Sequence, residues 1–364
     1  MVLENGRDWA PAGPAGPVTG PGEFVFSAVG LEHGHVWNMT QALLDAGGTL
    51  KYVYDPDEGK VAAFLREFPQ AKAARREEDV LEDRDTRLVA SAAIPCDRCA
   101  LGLRVMEAGK DYFTDKAPMT TLEQVDAARA CAARTGRKYM VYYSERLHSE
   151  AGVLAGYLLD EGRIGRPVHV SGSGPHKLGA AARPDWFFRR AQYGGILIDI
   201  GSHQIEQFLA ISGAKDARIA GSRIGNFANP GTPELDDFGD CAVTGDNGAA
   251  GYFQVNWYTP DGLRSWGDGR TVITGTEGYL ELRKYVNVAE EPFMPDQVYL
   301  VDGSGEHRID ARGAVGYPFF GQLILDSLER TERAMTQEHA FLAAELSIRA
   351  QMEASELTGR PAGI

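Results

Sequence analysis

Phe24-Val25-Phe26-Ser27-Ala28-Val29-Gly30-Leu31-Glu32-His33-Gly34-His35 is an apolar run that breaks at a glycine and passes into an amphipathic stretch over 35–46. A short run rich in Val and Phe and closed by Gly reads as a buried strand, and the spacing that follows reads as a helix. The turn between them offers free backbone N–H groups and the positive end of a helix dipole, a setting that suits a pyrophosphate through Gly30, Glu32, His33, Gly34 and His35. With Gly30 as the first glycine of a GxGxxG turn, Glu32 and His35 stand at the second and third positions, so the backbone comes less close to the phosphates. The next apolar run, 50–54, ends in Tyr54-Asp55, about 20 residues after the turn, where a carboxylate accepts from ribose hydroxyls. An acid there repels a 2'-phosphate, which favours NAD over NADP. The competing readings are that Asp55 caps the helix starting near Asp57 and that His33 and His35 are solvated turn residues. No carboxylate at a suitable spacing joins the two histidines, so no metal is expected there.

The alternation continues. Helix is predicted over 59–68, 96–108 and 122–135, and strand over 88–94, 111–114 and 138–143, which implies a parallel sheet covered by helices with ligands at its strand C-termini. Past residue 149 the pattern changes to a helix over 151–159, a strand over 167–172 and a glycine-pair segment running into a helix that ends near 211. Short strands at 217–224, 240–244, 249–257, 271–274, 279–282 and 297–301 are broken by Gly, Asp and Asn turns, as in an antiparallel sheet with one exposed face. Helices return over 319–333 and 338–357. The predicted division is a disordered extension over 1–22, a dinucleotide-binding domain over 23–148, a substrate and oligomerisation domain over 149–335, and a terminal helix over 336–364 packing back.

A chain of 364 residues exceeds one ordinary core. Its net charge of -14 argues against nucleic-acid and anionic-membrane partners. No run is long enough to span a bilayer, and the Gly- and Pro-rich start has neither the basic nor the apolar part of a signal peptide. Four scattered cysteines do not form a disulfide framework, and a reducing cytoplasm is the simpler setting. Cys96-Asp97-Arg98-Cys99 opens a predicted helix, where a thiol could be activated for redox work. Cys131 and Cys241 are isolated, and no second pair completes a zinc site.

Two polar groups carry the chemistry. In Gly194-Gly195-Ile196-Leu197-Ile198-Asp199-Ile200-Gly201-Ser202-His203, Asp199 and His203 are one helical turn apart and can share a face. An imidazole oriented by a carboxylate moves protons near neutral pH. The alternative is a helical N-terminus whose polar residues cap and solvate, and a metal reading would add Glu206. In Asp115-Lys116-Ala117-Pro118 the proline ends regular pairing and leaves Lys116 at a strand terminus, mechanistic or simply solvated.

A nucleotide turn, a lysine and proline after a strand of the first domain, and Gly-Gly followed by Asp199 and His203 together resemble the glucose-fructose oxidoreductase and inositol dehydrogenase (Gfo/Idh/MocA) family. The likeness spans 23 to the terminal helices. It implies an N-terminal Rossmann domain and a C-terminal domain with an open, mostly antiparallel sheet that often mediates oligomerisation into a dimer or tetramer. It further implies that Lys116 binds the reacting hydroxyl, that His203 is acid and base, that Asp199 helps hold the substrate, and that Ala93, Ile94, Pro95 and Asp115 lie near the cofactor. Three positions depart from the family pattern. Ala117 reads as an insertion between lysine and proline, so that a cis bond is not expected at Lys116; Cys99 stands where histidine is common; Glu206 replaces aspartate.

The function expected is NAD-dependent hydride transfer from a secondary hydroxyl of a sugar, polyol or inositol-like small molecule. Tyr143 to Arg146, together with His176, Lys177, Arg183 and Trp186, are the expected pocket residues, and the cations could admit an acidic substrate. The alternatives are a lyase or glycosidase that recycles its NAD without net redox, and a non-catalytic dinucleotide-binding regulator.

Overall fold

The computed structural model describes residues 16–291 and 293–357. The chain forms two compact units, with Tyr143–Tyr317 and residues 342–357 in one, and residues 16–142 and Pro318–Phe341 in the other. The division falls at 142/143 rather than 148/149. The segment 318–335, expected in the second domain, clusters with the first.

The first unit alternates β1 (Val25–Val29), α1 (His35–Asp45), β2 (Thr49–Tyr54), α2 (Glu58–Glu67), β3 (Lys72–Ala73), α3 (Glu77–Leu81), β4 (Thr86–Ser91), α4 (Pro95–Glu107), β5 (Asp111–Asp115), α5 (Leu122–Thr135) and β6 (Tyr139–Tyr142). Every strand pair is parallel and the order is β3-β2-β1-β4-β5-β6, the doubly wound Rossmann arrangement. The α/β prediction holds. Local chemistry sets the helix ends: Asp57 caps α2 by accepting from Gly59 N and Lys60 N, and Pro95 opens α4. Thr121 and Gln124 form a capping box on α5, which Gly136 closes at φ +64. Leu88, Val89 and Ala90 of β4 and Phe113 of β5 are buried, each large side chain stabilising the sheet by about 1.5–3 kcal/mol.

Residues 1–15 of the expected disordered extension lie outside the described residues. Residues 16–22 correct that expectation, because they are tied to the α1–β2 turn. Val18 N donates to Ala46 O at 2.9 Å, Thr19 Oγ1 to Gly47 O at 3.0 Å, and Gly22 N to Thr49 Oγ1 at 2.8 Å.

The second unit begins with α6 (Ser144–Leu147), α7 (Glu150–Asp160), β7 (Pro167–Pro175), α8 (Arg190–Tyr193), α9 (Ile196–Asp199) and α10 (Gly201–Ser212). The strands β8 (Ala217–Gly225), β9 (Phe238–Gly245), β10 (Ala250–Asn256), β11 (Arg270–Gly275), β12 (Tyr279–Arg283), β13 (Gln297–Asp302) and β14 (Gly305–Asp310) follow. After them, α11 (Pro318–Glu329) lies in the first unit, α12 (Gln337–Met352) runs across the division, and β15 (Ser355–Glu356) returns to the second sheet. That sheet has the order β14-β13-β12-β11-β7-β10-β9-β8-β15 and is antiparallel except at β7–β10 and β8–β15. Leu154 and Leu158 of α7 pack on Ile273, Leu280, Leu300 and Ile309. Helix α10 lies against β7, where Gly172 and Gly174 leave room for it; a Cβ on Gly172 would fall 2.2 Å from Gln204 Oε1.

Candidate active site

In the first unit the turn after β1 is stitched to its neighbours. Gly30 N donates to Tyr54 O, Ala92 N to Gly30 O, and His33 N to Ala92 O, each at 3.0 Å. Gly30 has φ +77, and a Cβ there would lie 2.9 Å from Ala93 Cβ, so only glycine lets the turn pack on the loop Ala93-Ile94-Pro95. Leu31 N donates to Asp55 Oδ2 at 2.6 Å, and Asp57 N to Asp55 Oδ1 at 2.9 Å. The cap of α2 is therefore Asp57, while Asp55 fixes the turn. Glu32, at the second glycine position, is paired with Lys60. Helix α1 follows Gly34 with no acid in its first turn; His35 N turns to His33 Nδ1 at 3.4 Å, Val36 N to His33 O at 3.2 Å and Trp37 N to Gly34 O at 3.3 Å, so it is the positive end of the helix that favours an anion here. These features fit a dinucleotide whose pyrophosphate sits at α1 and whose ribose meets Asp55.

His33 and His35 are not solvated turn residues. Their Nδ1 atoms stand 3.1 Å and 2.8 Å from the two oxygens of Asp115 at the end of β5. The carboxylate that the sequence seemed to lack for them comes from 80 residues away. Asp115 also accepts from Arg98 Nη2 at 3.2 Å and from Lys116 N at 2.8 Å. Burial pushes its carboxyl upward, but His35, Arg98 and His33 hold it well below the usual carboxylate range. Desolvation, then His35, lowers His33 to about 4, so it is neutral at pH 7. The ligand-type atoms of His33, His35 and Asp115 lie within 4.8 Å of one another, but Arg98 supplies the cation this cluster uses.

Arg98 is the residue that sequence reasoning missed. It is 1% exposed, and it joins two loops: Nε donates to Ala93 O at 2.6 Å and Nη1 to Ala117 O at 3.0 Å, alongside the bond to Asp115. The signal lay inside Cys96-Asp97-Arg98-Cys99, where the arginine is the informative residue. The thiols are not activated: burial raises Cys99 to about 12, and burial and Asp97 raise Cys96 to about 11. Cys99 Sγ faces Gln124 O at 3.3 Å. Lys116 is buried to 6% exposure, and the Lys116–Ala117 peptide is cis, correcting the expectation that Ala117 shifts that bond away from the lysine.

In the second unit Gly194 and Gly195 adopt φ +93 and +111. A Cβ on Gly195 would strike the amide of Gln351, which accepts from Leu197 N at 2.9 Å and donates to Asp236 Oδ2 at 3.0 Å. Asp199 ends α9, Ile200 keeps helical angles, and His203 lies in the first turn of α10, so carboxylate and imidazole are one turn apart as predicted. His203 is 1% exposed, its ring meets that of Tyr143 edge-on at 6.3 Å, and its carbonyl accepts from Gln207 Nε2 at 3.0 Å. Tyr143 Oη is buried with no hydrogen-bond partner among the described residues, and burial and Glu206 push its hydroxyl well above the usual range.

The expected pocket residues divide. Arg146 donates from Nε to both oxygens of the buried Glu206, at 2.9 and 3.0 Å, so its guanidinium is committed to that acid, and Glu206 is not offered to a metal. Lys177 Nζ is spent on the carbonyls of Asp261 and Leu263, at 3.0 and 2.7 Å. Trp186 is buried in a 3-10 turn, Asp185–Phe188. His176 lies between Trp257 and Trp266, ring centroids 5.5 and 4.5 Å away, with Nε2 3.9 Å from Glu145 Oε1. Arg183 stacks on Phe187 at 4.4 Å and Trp257 at 5.1 Å; burial lowers its pKa while Asp199 opposes that. Under α10, the fully buried Lys284 pairs with Glu145 at 3.5 Å and with Gln207.

Residues 20–143 match the oxidoreductase family with an NAD-binding Rossmann fold, and residues 154–281 match the GFO/IDH/MocA C-terminal domain. The chain belongs to the GFO/IDH/MocA oxidoreductase family. Its first unit is the NAD-binding domain of that family, and its second the family's C-terminal domain. Among family relatives, scyllo-inositol 2-dehydrogenase (NAD(+)) of Bacillus subtilis (strain 168) is 27% identical over 253 residues, 68% of this chain and 69% of that one. A crystal structure of a protein from Erwinia carotovora atroseptica SCRI1043 is 48% identical with a TM-score of 0.90, covering 92% of this chain and all of that one. Levoglucosan dehydrogenase in complex with NADH shares the fold at TM-score 0.74 and 17% identity, covering 91% of this chain and 98% of that one. Among the described residues, no helix is long and apolar enough to cross a membrane.

Proposed function

We propose that this chain is an NAD-dependent dehydrogenase oxidising a secondary hydroxyl of a sugar, polyol or inositol-like small molecule, with Lys116, His203 and Asp199 as its working side chains. The observation that carries this reading is the burial of Lys116 at the C-terminal end of β5, the end of a doubly wound sheet at which ligands bind. Bound NAD supplies the hydride acceptor. The imidazole of His203 takes the proton of the substrate hydroxyl at a ring nitrogen, and Asp199 one turn earlier holds the substrate. The Lys116 ammonium stabilises the developing alkoxide, and its backbone N–H is anchored on Asp115. Asp55 favours NAD over NADP, since a 2'-phosphate would meet a carboxylate.

His176, flanked by Trp257 and Trp266, supplies the mixed aromatic and polar lining that suits a cyclic polyol, and two of the relatives act on inositol and levoglucosan by name. We further assign the protein to the cytoplasm, as a homo-oligomer assembling through the outer face of the second sheet, which exposes Tyr252, Val272 and Tyr279. Mixing protein, NAD and a panel of sugars, inositols and their acids tests the activity. NADH absorbance growing with substrate consumption supports the dehydrogenase. Product without NADH replaces it with an NAD-recycling lyase or glycosidase, and neither signal replaces it with a regulator.

A further inference from the structure

At the start of β4, β5 and β6, at the opposite end of the strands from the dinucleotide turn, the first unit has a cleft of about 460 Å³. It is lined by the cations Arg84, Arg87, Lys110, Arg137 and Arg330 and the acids Glu82, Asp83 and Asp111. Two of the acids are already engaged. Asp111 holds Arg330 with bonds of 2.6 and 3.0 Å, and Asp83 pairs with Lys51 at 2.6 Å. Lys110 Nζ is buried on neutral acceptors, the carbonyls of Asp83 and Thr86, which solvate its charge without cancelling it. Arg84, Arg87 and Arg137 have no carboxylate within ion-pair distance among the described residues. Arg87 is the one exposed position in a strand that is otherwise buried throughout.

In a chain of net charge -14, unpaired arginines would ordinarily find acids, so a concave surface that keeps three of them open is a local reversal of the molecule's field. Burial lowers the pKa of Lys110, with Asp83 opposing and Lys51 and Arg137 adding to the lowering. Arginine forks bind oxyanions bidentately, and the cleft has the volume of a small metabolite. Of the three lining acids, Asp83 and Asp111 carry ion pairs and Glu82 has none among the described residues.

We propose that this cleft is a second ligand site, taking a small molecule with at least two adjacent oxyanion groups, held by Arg84, Arg87 and Arg137 with Lys110 behind them. The groups are phosphates or carboxylates, which share this chemistry. The site lies roughly 15–20 Å along the strands from the dinucleotide turn, by strand rise.

Calorimetric titration of the full chain with inorganic pyrophosphate and, separately, with citrate tests it. One site per chain that persists in saturating NAD, which fills the dinucleotide turn, is expected for at least one probe. The tighter probe identifies phosphate or carboxylate as the preferred group. Arg87→Ala with Arg137→Ala is expected to weaken binding about a hundred-fold, about ten-fold per arginine. Both side chains are solvent-accessible, and an unchanged melting temperature checks that the variant folds; Arg84→Gln serves as a second, milder variant expected to lose about ten-fold. Binding of neither probe, equal binding by the double variant, or complete displacement by NAD would overturn the proposal.

Discussion

The backbone N–H of Leu31 donates to Asp55 Oδ2 at 2.6 Å, binding the turn after β1 to the end of β2. With Asp57 N on its other oxygen, this carboxylate is fixed by two main-chain donors and keeps lone pairs for a ribose. The acid that would discriminate between cofactors is therefore also part of the turn that would bind them.

Asp55→Ser is expected to lower kcat/KM for NAD by more than about ten-fold and raise the NADP-to-NAD ratio of kcat/KM, because the repulsion on a 2'-phosphate disappears. It is also expected to cost about 1–3 kcal/mol of stability through the two backbone donors it strands. Steady-state kinetics with both cofactors check the first effect, and equal use of NAD and NADP by the unmodified protein would contradict the role assigned to Asp55.

Lys116→Ala and His203→Ala are each expected to lower kcat by about 10²–10⁴-fold while the Kd for NAD changes little. Fluorescence titration with NADH separates the two effects. Near-normal turnover in either variant would remove that side chain from proton transfer and charge stabilisation.

Arg146→Ala leaves the carboxylate of Glu206 buried without its guanidinium and is expected to destabilise by about 3 kcal/mol, the lower end for a broken buried pair because Arg146 is 26% exposed. Adding Glu206→Gln removes the stranded charge and should recover most of the loss. Urea midpoints decide the matter; a pure KM effect with unchanged stability would instead return Arg146 to the substrate.

His33 sits at about 4 in the folded protein against an ordinary value of 6.5. Above pH 6.5 it is neutral in both states. As pH falls from 6.5 towards 4, the unfolded chain takes a proton that the folded chain refuses, so stability declines by up to roughly 3 kcal/mol. The low-lying carboxyl of Asp115 gives up its own contribution only as pH falls below the ordinary carboxylate value, so the two windows separate. Melting temperatures at pH 5 and pH 7 should differ in the unmodified protein and differ less in His33→Gln. An identical slope in both proteins would show that another group is responsible.

Much of the architecture was readable because parallel strands buried on both faces are near-continuous apolar runs, as in β1 and β6, and because Leu88-Val89-Ala90 gives β4 a short one. Gly30, Asp55, Asp199 and His203 were readable because turns and helical spacing constrain them locally. What escaped was tertiary. Nothing in the neighbours of Arg98 announces that its guanidinium will bridge Ala93 and Ala117, and the acid that completes His33 and His35 comes from β5. Lys177 and Arg146 look like substrate ligands until their distant acceptors are known. The strand β14 was missed because its polar, exposed edge carries little apolar signal, and β3 because two residues set no period.

Gly195 and Gln351 are separated by most of the second unit, yet the amide of Gln351 fills the space a methyl would take on Gly195 and anchors Leu197 N, 154 residues away in the chain. During synthesis the segment carrying Asp199 leaves the ribosome long before its clasp has been translated. The second unit therefore cannot close this clasp until residue 351 has been made, and a chain that stops between Phe341 and Gln351 should keep every segment of the first unit while leaving the stretch that carries Asp199 unclasped.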